Sequence, residues 1–302
     1  MHKKILVPLD GSKTAENVLP YARCFARSLQ IPVELMAVVD APELSRNVSA
    51  AEGLFLDVLI ENETRRYDAY LKDLAKNFPA GGTQYTVTRG NAAEAIIQAA
   101  AADKGTLIAM ATHGRSGLNR WLVGSVAEKV LRGASNPLLL VRATEQTPSW
   151  DTAALKSVVV PLDGSELAES VLPWVEEFAK QLDLDVILLR MYGVPYGAYT
   201  AGEGFYNVSQ LQAFLSTLKD EALEYLESKA TELKKKGIVK VSSVAKEGFG
   251  ADEIIAFTRP LPDTLIAMCS HGHSGVKRWM LGSVTETVVR HSGNPVLVVR
   301  AS

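Results

Sequence analysis

The sequence predicts two copies of one α/β domain, each a parallel sheet with helices on both faces. Three observations predict it. First, the chain repeats itself: Ile5-Leu6-Val7-Pro8-Leu9-Asp10-Gly11-Ser12 recurs as Val158-Val159-Val160-Pro161-Leu162-Asp163-Gly164-Ser165, 153 residues on. Second, strand-like and helix-like segments alternate within each copy, the pattern of a parallel sheet joined by right-handed crossovers. Third, runs such as Thr106-Leu107-Ile108-Ala109-Met110 are apolar throughout, which suits strands covered on both faces.

Each element follows from its residues. Lys4 to Leu9 is a short apolar strand ended by the turn signal Asp10-Gly11-Ser12. Ala15 to Leu29 carries Val18, Leu19, Ala22, Phe25, Ala26 and Leu29 at helical spacing. Val33 to Val39 is a second strand, residues near 55–77 a second helix, and Tyr85 to Thr88 a third strand. Ala92 to Ala102 is a helix, Thr106 to Ala111 a buried strand, Ser125 to Arg132 the last helix and Pro137 to Val141 the last strand. Ser125-Val126-Ala127-Glu128 and Ser283-Val284-Thr285-Glu286 fit a capping box and mark helix N-termini.

The repeat sets the domain organisation. Gly90 pairs with Gly248, His113 with His271 and Gly124 with Gly282 at an offset of 158, so the second copy has gained five residues, expected within Tyr192 to Tyr206. Residues 105–142 and 263–300 share 22 identities in 38 positions. The domains are read as 1–143 and 153–302, joined by a linker with Thr147-Pro148-Ser149. The 302 residues match two domains of roughly 150 each. Hydrophobic residues at 47% and charged residues at 22% exclude a largely disordered chain. A net charge of -2 disfavours nucleic acid and anionic membrane as main partners. Two cysteines, Cys24 and Cys269, are too few for a disulfide framework. The first apolar run is too short for a signal peptide or membrane span. The expected setting is the cytoplasm.

Ligands of such sheets bind at the carboxyl ends of strands. That directs attention to Asp10, Val39-Asp40, Gly90 and the stretch His113 to Ser125. Ala111-Thr112-His113-Gly114-Arg115-Ser116-Gly117 leads to Gly124-Ser125, and Cys269-Ser270-His271-Gly272-His273-Ser274-Gly275 leads to Gly282-Ser283. Glycines permit close backbone approach, and a helix N-terminus offers free N–H groups to phosphate. Arg115, Arg120, Lys277 and Arg278 would add charge-assisted contacts. Neither a Walker lysine nor a G-x-G-x-x-G fingerprint is present. Asp10 and Asp163 could equally cap the turns that follow them. His271-Gly272-His273 is half of a nucleotidyltransferase histidine motif, but its counterpart is His113-Gly114-Arg115.

Together, Val7-Pro8-Leu9-Asp10-Gly11-Ser12, Gly90-Asn91-Ala92-Ala93, His113-Gly114 with Gly124-Ser125, and Asn136-Pro137 before Leu138-Leu139-Leu140-Val141 resemble the universal stress protein family, in a tandem arrangement covering nearly the whole chain. The resemblance implies two Rossmann-like, doubly wound five-stranded sheets of the adenine nucleotide alpha hydrolase type. Pairing of Leu138 to Arg142 with Val296 to Arg300 would make an intrachain pseudo-dimer; a homodimer of chains is left open. It also implies ATP as ligand, with magnesium or manganese on the phosphates and no dedicated metal site. In the ATP-binding branch the loop begins with a glycine, where this chain has Ala111 and Cys269. Alanine is harmless there if φ is negative and damaging if φ is positive.

Residue by residue, the resemblance places Pro8, Leu9, Asp10 and Val38 about the base and ribose, has Met110 line the pocket, puts Gly114, Arg115, Gly124 and Ser125 about ribose and phosphates, and counts Gly90, Gly117 and Val126 in the same site. In the second copy the same roles fall to Pro161, Leu162, Asp163, Met191, Gly248 and Met268, and to Gly272, His273, Gly275, Gly282, Ser283 and Val284. No catalytic residue is assigned. The implied role is regulatory, in a stress response, rather than metabolic. An interaction protein with degenerate sites and a slow ATPase are the alternatives.

Overall fold

The structure, a computed structural model, describes residues 3–41, 44, 56–78, 82–112, 124–142, 153–194, 208–270 and 281–300. In the first repeat these form β1 (Lys4–Pro8), α1 (Leu19–Leu29), β2 (Val33–Val39), α2 (Leu56–Ala75), β3 (Thr83–Arg89), α3 (Ala92–Ala101), β4 (Thr106–Ala111), α4 (Ser125–Gly133) and β5 (Leu138–Val141). In the second they form β6 (Ser157–Pro161), α5 (Glu166–Glu169), α6 (Leu172–Leu182), β7 (Asp185–Tyr192), α7 (Val208–Lys235), β8 (Val241–Glu247), α8 (Gly250–Thr258), β9 (Thr264–Cys269), α9 (Ser283–His291) and β10 (Val296–Val299). The expected linker, 143–152, lies outside the described residues.

The chain divides into two compact units, the first holding the first repeat and also β10, the second most of the second repeat. The first unit is wound β3-β2-β1-β4-β5, with all four neighbouring pairs parallel. Its core is the sheet itself: Ile5, Leu6, Val7, Leu107, Ile108 and Ala109 are fully buried. Strand β10 extends this sheet antiparallel to β5, with Leu297 opposite Leu139. Arg300 then donates to the carbonyls of Leu131 and Arg132 at the end of α4, where a cation meets the negative end of the helix dipole. The second unit keeps the parallel pairs β6–β7, β6–β9 and β7–β8.

One expectation is corrected. The segment Ala15 to Leu29 is not one helix. A 3-10 turn, Ala15–Val18, precedes α1, and Pro20 stands in the first turn of α1. Its ring would clash with the carbonyl four residues back, so a continuous α-helix cannot run through it. Pro173 divides α5 from α6 in the same way. The five extra residues, expected within Tyr192 to Tyr206, fall for the most part outside the described residues. Residues 195–207 lie outside the described residues.

The Asn-Pro pair before β5 has a structural task. Asn136 is 3% exposed and its Nδ2 donates to the carbonyls of Ala100, Asp103 and Thr106 at 3.1, 3.1 and 3.2 Å. Asn294 repeats this toward Leu261 and Thr264. The amide ties the end of α3 to the start of β4 and to β5. Asn136→Ala leaves buried carbonyls without these donors, so it should destabilise the first unit by about 1–3 kcal/mol in urea unfolding followed by circular dichroism.

Candidate functional site

The site of the first repeat is assembled at the carboxyl ends of β1, β2 and β4. After β1 the chain turns sharply, and Gly11 takes a φ of 78° that a side chain would oppose. The Asp10 carboxylate closes the turn: its Oδ1 accepts from the Ser12 amide at 2.9 Å and from the Ser12 hydroxyl at 2.6 Å. The Tyr67 hydroxyl donates to the Asp10 carbonyl at 3.2 Å and pins α2 over this turn. At the end of β2, Asp40 Oδ2 accepts from the Ala92 amide at 3.3 Å, at the start of α3.

These elements enclose a cavity of about 270 Å³. Met36, Val38, Ile96 and Met110 give it an apolar floor, Asp10, Asp40, Glu63 and Tyr67 a polar rim, and Thr112 and Gly124–Ala127 its remaining side. That last side is the start of α4. The N-cap is Gly124, not Ser125, and no side chain caps the helix. The capping-box expectation is therefore corrected. Ser125 is already helical, and Glu128 pairs forward with Arg132 at 3.3 Å instead of reaching back. The Gly124 amide is held by the Thr112 carbonyl and its carbonyl accepts from the Glu128 amide at 2.9 Å. A glycine cap leaves the first amides of α4 available to an anion placed in the cavity.

Known proteins agree with this architecture. The family model for the universal stress protein family matches residues 1–142 and again 154–300. The chain belongs to the universal stress protein family. Universal stress protein MJ0531 of Methanocaldococcus jannaschii is 32% identical over 146 residues, which is 48% of this chain and 82% of that protein. MJ0577 of the same organism is 32% identical over 155 residues, 48% of this chain and 94% of that protein. A universal stress protein of Archaeoglobus fulgidus shares the fold over almost the full length, with a TM-score of 0.69, 20% identity, and 99% and 98% of the two chains covered.

Within this universal stress protein fold, the cavity brings together Pro8, Leu9, Asp10, Val38, Met110, Gly124, Ser125 and Val126 of the residues named from the sequence. Gly90 is not among its lining residues. It makes the turn after β3 at a φ of 131°, its amide on the Val39 carbonyl at 3.1 Å. Gly248 does the same at 135°. Gly114, Arg115, Gly117, Gly272, His273 and Gly275 lie outside the described residues, as do Arg120, Lys277, Arg278 and both loop histidines. Sequence reasoning missed Met36, Glu63, Tyr67, Ile96 and Ala127. Glu63 and Tyr67 stand four apart on α2, a spacing that places them on one helix face.

The replaced first glycine does no harm to the backbone. Among described non-glycine residues only Gln30, Asp183 and Asp263 have positive φ. Ala111 and Cys269 are ordinary last residues of β4 and β9, both buried. In the second repeat, Asp163 closes its turn like Asp10, with Ser165 amide and hydroxyl at 2.9 and 2.6 Å. Pro161 and Leu162 lie at the end of β6, Met191 near the end of β7, buried Met268 on β9, and Gly282 caps α9, with Ser283 and Val284 its exposed first residues. Among the described residues no group of three or more His, Cys, Asp or Glu side chains is placed to hold a metal, and no helix is long and apolar enough to cross a membrane.

Two tyrosines beside these sites resist ionisation. Burial and then the neighbouring Glu16 carboxylate hold the Tyr70 phenol well above its ordinary value; burial and then Glu169 do the same for Tyr225. The folded state thus binds these protons more tightly than the unfolded chain. Their contribution is complete below pH about 10 and is lost as pH rises beyond it. Stability measured by urea unfolding should fall between pH about 10 and about 12. The fall should be shallower in a Tyr70→Phe, Tyr225→Phe double variant.

Proposed function

We propose that the first repeat binds an adenine nucleotide, ATP, and that binding serves a regulatory role in a cytoplasmic stress response. The observation that carries this reading is one cavity with three unlike walls. A planar base suits the apolar floor of Met36, Val38, Ile96 and Met110. Ribose hydroxyls and an exocyclic amine are donors, and the carboxylates of Asp10, Asp40 and Glu63 are acceptors on the rim. The uncapped start of α4 suits phosphate. The volume of about 270 Å³ is near the lower end for small-molecule sites, about 300 Å³. The ATP-binding branch that the motifs resemble supports the same ligand. A divalent ion would arrive on the phosphates and be held mainly by them, since no described carboxylate cluster offers it a cage.

Binding rather than turnover is the function. Asp10 is committed to its turn through two hydrogen bonds, which suits a structural acceptor more than a group that accepts and releases a proton in each cycle.

Gly124→Asp separates ligand binding from folding. Aspartate is a favoured N-cap, so α4 should be as stable or more so, while its charge meets the phosphates. Magnesium-ATP should raise the stability of the natural protein by about 2.7 kcal/mol at a hundredfold excess over Kd, seen as a thermal shift. The variant should show no shift and a ligand-free melting temperature no lower than that of the natural protein. No shift in the natural protein at millimolar magnesium-ATP would contradict the reading.

A further inference from the structure

The two repeats keep their folds but not their clefts. The described residues of the second repeat do not repeat the Tyr67–Asp10 contact of the first. There Tyr225 donates instead to Glu169 Oε1 at 2.8 Å. Beside it is Arg190, which stands where the first repeat has the fully buried Ala37. Its guanidinium lies 4.6 Å from the centre of the Tyr225 ring. A Cβ added at Gly164 would stand 3.1 Å from one of its nitrogens. The guanidinium thus fills the gap between the tyrosine and the Asp163-Gly164 turn, the edge that Tyr67 and Asp10 give to the first cavity.

The opposite rim is filled as well. Asp40 corresponds to Gly193 and Asn91 to Phe249. The Phe249 ring covers Gly193 so closely that a Cβ there would lie 2.9 Å from two ring carbons. A phenyl group therefore occupies the place of the Asp40 side chain, and a polar wall becomes apolar. The inner end gains bulk too. Cys269 replaces Ala111, its sulfur accepting from the Ser170 hydroxyl at 3.3 Å. Thr285 replaces Ala127 and donates to the Cys269 carbonyl at 2.8 Å.

From these substitutions we infer that the chain binds one nucleotide, in the first repeat, and that Arg190, Phe249, Cys269 and Thr285 close the second cleft to it. The inference rests on the ATP reading of the first site. The second repeat keeps its glycine-capped helix, but the space leading to it is taken by the chain's own side chains. An arginine held on an aromatic ring and a phenyl ring over a glycine are attached fillers, so a ligand would have to displace both.

The test is stoichiometry, measured by equilibrium dialysis of labelled magnesium-ATP against the full chain. The expected uptake is one equivalent, abolished by Gly124→Asp and unchanged by Gly282→Asp. A variant with the first-repeat residues restored, Arg190→Ala, Phe249→Asn, Cys269→Ala and Thr285→Ala, should take up two. Its retained first equivalent reports that it is folded. Two equivalents in the natural protein, or one surviving Gly124→Asp, overturns the inference while leaving ATP binding intact. A restored variant that stays at one equivalent overturns the role given to these side chains. No uptake by the natural protein overturns the ATP reading, and the inference with it.

Discussion

The site depends on a helix that begins without a side-chain cap at the end of a fully buried strand. Strand β4 is buried at all six positions, so its backbone is fixed by the sheet on both sides and by the helices above and below. The Thr112 carbonyl just beyond it takes the Gly124 amide, and α4 starts there. Its first amides therefore point into the cavity from a fixed origin. A serine or aspartate cap would have satisfied them internally. Glycine leaves them to solvent or to an anion, a cost in helix stability that a bound phosphate would offset.

The far end of the same helix is tied down too. Arg300 meets the last carbonyls of α4, and β10, which carries it, is zipped to β5. The C-terminus of α4 thus has a protein-borne partner in the first unit, while its N-terminus faces the cavity. The same plan in the second repeat, with Gly282 as cap and Ser270 in the role of Thr112, shows that the scaffold has been kept. What has changed is the space before it. Small or acidic residues such as Ala37, Asp40 and Ala111 have counterparts Arg190, Gly193 and Cys269, and the phenyl ring of Phe249 covers the glycine. These changes lie toward the carboxyl ends of β7 and β9, where Arg190 is half-buried although its counterpart Ala37 is enclosed.

Much of the fold was legible because apolar runs and turn residues report local physics. Strands β4 and β9 read as continuous apolar segments, and Asp10-Gly11-Ser12 reads as a turn because only glycine adopts its φ easily. The strand ends then located Asp10, Asp40 and Gly124, and the family resemblance added Val38 and Met110. Less legible were contacts made across the chain. Tyr67 reaches Asp10 over 57 positions, and no local pattern announces that. The break in the first helix was visible in Pro20, but the helical spacing around it outweighed the single proline. The S-x-x-E pattern misled because it matches a capping box one position later than the true cap. Arg190 looks like any strand residue until the ring of Tyr225 and the bare Gly164 are seen beside it.

The central claim is that the uncapped start of α4 receives the phosphates of an adenine nucleotide. The most direct measurement is an amide-resolved NMR titration of the full chain with magnesium-ATP. The account predicts that the amides of Ser125, Val126 and Ala127 shift first and saturate together with residues of the cavity floor, while those of Ser283, Val284 and Thr285 stay in place. Saturable shifts that bypass the start of α4, or that move both helix starts alike, would contradict it.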